Sequence, residues 1–166
     1  MAIKTLQDLF VHTLSDVYSA EKQLTKALPK LARAATHPDL KTIFNSHLEE
    51  TQGQIERIDK MVKAGNFKLK RIKCAAMEGL VEEGSETIAE VEKGPVLDAG
   101  LIAAAQKVEH YEIATYGTLC ALARTLKLDA SILTLLQDTL AEEKAADEKL
   151  SALAGLQGNE EAAAAG

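Results

Sequence analysis

Four stretches of this chain carry apolar residues at steps of three and four, and acid interrupts every one near its middle. The first stripe reads Leu6, Phe10, Leu14, Val17, Glu21, Leu24, Leu28, Leu31. The second reads Ile43, His47, Glu50, Gln54, Ile58, Met61, and the third Leu101, Ala105, Val108, Glu109, Glu112, Tyr116, Leu119. The last reads Ile132, Leu136, Leu140, Glu143, Asp147, Leu150. Residues so spaced share one helix face, and an apolar face turns to a core. A carboxylate carried into a core loses several kcal/mol of hydration unless something offsets it. A metal cation offsets several carboxylates at once.

Helices of this length leave little else to build with. The chain has 166 residues, enough for one domain. It is rich in Ala, Leu, Glu and Lys, residues that lose little side-chain freedom in a helix. Net charge is −6, so no basic footprint points to nucleic acid. No apolar run approaches the ~20 residues that span a bilayer, and the N-terminus shows no signal-type segment. A cytoplasmic address is expected, without membrane association. Cys74 and Cys120 match no metal or redox spacing and are expected to be reduced, packed thiols.

Helix one is expected from the N-cap Thr5 to about Ala35, with Pro29 inside it, and helix two from Pro38 to Ala64, ended by Gly65-Asn66. Helix three is expected from Pro95 to about Leu126, and helix four from the N-cap Asp129 to about Ala154. Short links make two antiparallel hairpins. The thirty residues from Gly65 to Gly94 are long enough to cross the bundle, and Cys74, Met77, Leu80, Val81, Ile88 and Val91 keep helical spacing there. Two hairpins and one helical crossover make an all-α, ferritin-like four-helix bundle over residues 1–154, with a disordered tail at 155–166.

In such a bundle mid-length positions meet at one level. Glu21, Glu50, Glu109, Glu112 and Glu143 are therefore expected to cluster, with Asp147, His47 and Gln54 beside them. Paired ions about 3.5–4 Å apart need carboxylates that bridge and others that cap. Oxygen and imidazole donors suit iron and manganese. Glu142 lies off its seam and is expected in solvent, and Glu49 points away from the face of Glu50. His110 is expected to be a packing or surface residue, and His12 and His37 surface or loop residues. Tyr18, Tyr111 and Tyr116 are expected to be structural, with carboxylates as available partners.

The segments Ser19-Ala20-Glu21-Lys22-Gln23-Leu24, His47-Leu48-Glu49-Glu50-Thr51, Glu109-His110-Tyr111-Glu112-Ile113-Ala114 and Glu142-Glu143-Lys144 resemble the YciE/YciF family of bacterial stress proteins, nearest its YciF members. The resemblance runs from Ile3 to about Ala154. It implies a ferritin-like fold, a stress-response role and a di-iron-type site inferred from ferritins and rubrerythrins. Glu109-x-x-Glu112 with Tyr116 also looks like the third-helix ligand pair of rubrerythrin. That likeness implies Glu21, Glu109 and Glu112 as terminal ligands of two iron ions, or manganese, with Glu50 and Glu143 bridging. Ferritin-like di-iron sites carry Glu-x-x-His on helices two and four. Here Gly53 and Ala146 stand at those histidine positions, leaving His47, Gln54 and Asp147 as substitutes.

Two functions follow. One is a site that oxidises its metal with peroxide or dioxygen, fed by a separate electron-donor protein. The other is a non-enzymatic, metal-free dimeric interaction protein. A homodimer is expected in either case, and an iron-storage shell is the weaker third reading.

Overall fold

The computed structural model describes residues 2–155 and 163–164, and the expectation of a disordered tail falls almost wholly outside them. Five helices make up the fold: α1 Leu6–Ala34, α2 Pro38–Gly65, α3 Ala75–Glu90, α4 Pro95–Thr125 and α5 Ala130–Leu153. No strand occurs among the described residues. No helix there is long and apolar enough to cross a membrane.

Local chemistry fixes the helix ends. Thr5 accepts from the Asp8 amide while Asp8 accepts from the Thr5 amide, a reciprocal cap that satisfies two otherwise free donors. Asp129 caps α5 through the Ser131 amide. Asn66, left-handed at φ 49°, ends α2, with bonds from its own amide to Lys63 and from Phe67 to Val62. Lys127, at φ 53°, ends α4 by the same pattern. Pro29 lies inside α1, which continues past it to Ala34.

Helix α1 packs on α2, α4 on α5, α2 on α5 and α1 on α4, while α3 lies across α1 and α4. Asp98 at the start of α4 meets Thr36 just beyond the end of α1, and Tyr116 further along α4 meets Glu21. Those two helices are therefore antiparallel. Arg57 on α2 meets Thr139, and His47 meets Glu143, so α2 and α5 are antiparallel too. It follows that α2 and α4 point the same way, as two hairpins joined by a long crossover require. The first nine residues of that crossover, 66–74, form a strap along α1. Ser15 accepts from the Lys70 amide, Ser19 from the Cys74 amide, and Gln23 donates to the Cys74 carbonyl.

Two apolar clusters fill the bundle. Leu24, Leu28, Phe44, Leu101 and Leu150 belong to one, and Phe10, Leu14, Ile58, Leu119 and Leu136 to the other. Each such side chain contributes roughly 1.5–3 kcal/mol on burial. The seams of α1 and α4 hold except at Leu6, which is 46% exposed. Those of α2 and α5 shift by one residue in places: Ile43, Glu50, Leu140 and Asp147 are half-buried, while Phe44, Thr51, Thr139 and Ala146 beside them lie nearer the core-facing line of the helix and are buried.

Candidate metal centre

Along every helix of the bundle, the acids fall between residues of the two apolar clusters, so the polar layer is closed at both ends by hydrocarbon. Glu21, Glu112 and Glu143 have no exposure, Glu109 has 2% and His47 3%. His47 Nδ1 faces Glu50 Oε2 at 3.4 Å. Its Nε2 faces Glu109 at 3.2 Å, Glu112 at 3.8 Å and Glu143 at 3.9 Å. One donor atom from each of His47, Glu109, Glu112 and Glu143 lies within 4.8 Å of the others, near the span of about 4 Å across an ion's ligands. This group can hold a metal ion.

Hydrogen bonding inside the layer is incomplete. His47 Nε2, Glu21 Oε2, Glu109 Oε2, Gln54 Oε1 and both oxygens of Glu112 and Glu143 are buried without a hydrogen-bond partner. The short His47–Glu109 approach does not repair this, since the atoms are close but out of hydrogen-bond alignment. Native interiors seldom leave such atoms unpaired. The donor set, one imidazole with several carboxylates, suits iron or manganese. The residues present therefore fit the group that the sequence implies.

Electrostatics follow from the same crowding. Burial, then the Glu143 charge, pushes Glu21 up to about 8, against the hydrogen bond from Tyr116 Oη at 2.5 Å. Burial, with Glu143 and Glu21 as neighbours, holds Glu109 and Glu112 well above the ordinary carboxylate range. For His47, burial works against the cation, but Glu50, Glu143 and Glu21 outweigh it and raise its pKa. Charge repulsion of this kind is what a bound cation removes.

The other expected residues lie further out. Glu50 meets the far side of the His47 ring and keeps 29% side-chain exposure. Gln54 turns its amide nitrogen to Glu142 at 3.0 Å. Asp147 is half-buried beside Gln106 and His110, outside the four-residue group. His110 and Glu49 are exposed. His12 and His37 are half-buried, the latter because its Nδ1 caps α2 at the Asp39 amide. Glu142 corrects the expectation of a solvated side chain. Arg57 grips it at 2.5 and 2.7 Å, which lowers its pKa despite partial burial. All three tyrosines donate to carboxylates: Tyr18 to Asp59, Tyr111 to Asp16 and Tyr116 to Glu21. Cys74 and Cys120 are buried free thiols.

Sequence reasoning missed Asp98. It is 3% exposed and accepts from the Thr36 amide at 2.7 Å, the His37 amide at 2.9 Å and the Thr36 hydroxyl. An acid in the first turn of a helix was the available signal, and it reads equally well as a local dipole partner.

Comparisons with known proteins agree with this architecture. Protein YciF of Escherichia coli (strain K12) is 60% identical over 155 residues, 93% of each chain. The crystal structure of the E. coli stress protein YciF superposes with a TM-score of 0.89 at 60% identity, covering 92% of this chain and 96% of that one. YcfI from Rhodopseudomonas palustris gives 0.86 at 50% identity, with 90% and 94% covered. A Xanthomonas campestris protein at 21% identity shares the fold, with a TM-score of 0.71 over 91% and 92% of the two chains. Residues 5–163 match the family described as Domain of unknown function (DUF892), and to that family the chain belongs.

Proposed function

We propose that the chain is a ferritin-like stress-response protein whose buried layer holds two divalent ions, iron first and manganese second. The helix order supports the ferritin-like assignment. YciF, a stress protein by description, supports the cellular role. The observation that carries the metal reading is the imidazole itself. Nε2 faces three carboxylates and has no hydrogen-bond partner, and in the tautomer that donates from Nδ1 to Glu50 it presents a lone pair to them. Only a proton or a cation relieves that arrangement.

On this reading Glu21, Glu109, Glu112, Glu143 and Nε2 of His47 would hold the ions, and Glu50 would act from the Nδ1 side of the ring. Gln54 and Asp147 support the site from outside. Iron there supplies redox cycling with peroxide or dioxygen. The chain's own residues do the rest. Tyr116 fixes the orientation of Glu21, Glu50 fixes the His47 ring, and the two apolar clusters exclude bulk water. Neither buried cysteine reaches this layer, so electrons come from a separate donor protein. The chain pairs as a homodimer through a helix face, and sedimentation at twice its 17.8 kDa checks this.

Elemental analysis tests the metal reading. Protein grown with iron and manganese should retain about two ions per chain, as a dinuclear site requires. Glu143→Ala and Glu50→Ala should each lose at least one ion while keeping the helical circular-dichroism spectrum. A chain with no metal as isolated, and none after anaerobic iron(II), sinks the reading.

Gly53 and Ala146 favour a second reading, a metal-free interaction protein with a degenerate site. There the glutamates share protons, and Glu143→Ala should leave stability equal or higher.

A further inference from the structure

The buried layer needs a way in, and the cavities near it differ in how well they suit a cation. A groove of about 600 Å³ between α1 and the 66–74 strap touches none of the layer residues and carries Lys22, Lys26, Lys70, Arg71 and Lys73. A second cavity does touch His47 and Glu109. It is about 10 Å³, no larger than one water, and otherwise walled by hydrocarbon such as Leu24, Leu28 and Phe44. Another lies between α2 and α5. It measures about 200 Å³ and is lined by Ile43 and Ala146 together with the polar Thr42, Ser46, His47, Glu50 and Lys149.

We propose that this α2–α5 cleft is the route by which divalent cations reach the buried glutamates, with Glu50 receiving the ion at the surface and His47 passing it inward. The inference rests on the metal reading above and adds the path. Three observations carry it. Glu50 is the one layer glutamate with appreciable exposure, and its carboxylate already meets His47 Nδ1. His47 spans the boundary, with Nδ1 toward Glu50 and Nε2 toward Glu109, Glu112 and Glu143. Ala146, one turn after Glu143, presents only a methyl group to the cleft, where the Glu-x-x-His pattern of ferritin-like sites would put an imidazole. The missing histidine is thus what leaves the passage open. Lys149, exposed at its mouth, is a like charge to the incoming ion.

Cobalt(II) uptake by metal-depleted protein, followed by its visible absorption, is the test. Ala146→Leu should slow uptake about tenfold or more and leave the final cobalt content unchanged. Ser46→Trp covers the mouth from an exposed position and should also slow uptake, so the result does not depend on a core substitution folding well. Lys149→Glu should speed uptake a few-fold at low salt, and the gain should vanish in high salt. Lys22→Glu, in the large groove, should change nothing. Wild-type protein that takes up no cobalt overturns the metal reading and the route together. Wild-type uptake matched in rate by both Ala146→Leu and Ser46→Trp overturns the route alone.

Discussion

A buried glutamate is costly only while it is charged, so the layer makes stability depend on pH. Glu21 has an ordinary value near 4.5 and is pushed to about 8 in the fold. Between those values the folded chain keeps a proton that the unfolded chain has released, and stability falls as pH rises. Glu109 and Glu112, also raised, act in the same direction, as does His47 above its ordinary 6.5. The share that Glu21 contributes is complete below about pH 4.5 and is lost by about pH 8. Each unit in that window removes up to about 1.4 kcal/mol per group. Metal-free protein should therefore melt roughly 5 °C or more lower at pH 8 than at pH 5. With metal added the trend should flatten or reverse, since the ion needs deprotonated ligands. A rising Tm in chelator over that window would contradict the assignment. The acids of this layer were legible in the sequence because each breaks an apolar stripe. Glu142 was misread because its partner Arg57 lies 85 positions away, and periodicity says nothing about such pairs.

Helix limits were legible where the cap is local in sequence, as with the side chains of Thr5 and Asp129 and the left-handed backbone of Asn66. In the α1–α2 turn His37 caps α2 locally, but two of the turn's own amides find their acceptor on another helix. Asp98 on α4 holds the Thr36 and His37 amides, so one carboxylate fixes how the two hairpins meet. Asp98→Ala leaves those donors without their acceptor and should cost about 2–4 kcal/mol in urea unfolding. Asp98→Asn keeps one acceptor and should recover about half. A loss below about 0.5 kcal/mol would mean that water replaces the carboxylate without penalty. The crossover helix was legible from its spacing, but its start was not. Cys74 caps α3 through Sγ, a role that its residue type does not advertise.

Across the whole molecule, the strap at 66–74 ties the two hairpins together through a handful of polar contacts. Ser19 accepts from the Cys74 amide, and Cys74 Sγ meets Tyr111 of α4 at 3.1 Å. Ser19→Ala should speed hydrogen exchange at Cys74 at least tenfold while amides within α1 and α4 stay protected. Equal exchange in both proteins would show that the strap is held by packing alone. The two hairpins themselves read plainly from link lengths, whereas the seating of the strap on Ser15, Ser19 and Gln23 depends on contacts that no local pattern encodes. The unpaired atoms of the central layer carry one more consequence. On the proposed reading, ion occupancy adds directly to folding free energy, so the protein's lifetime in the cell becomes a readout of supply. Starved of that ion, the chain would open more often and be cleared by proteases. Supplied with it, the same chain would persist without any change in its synthesis.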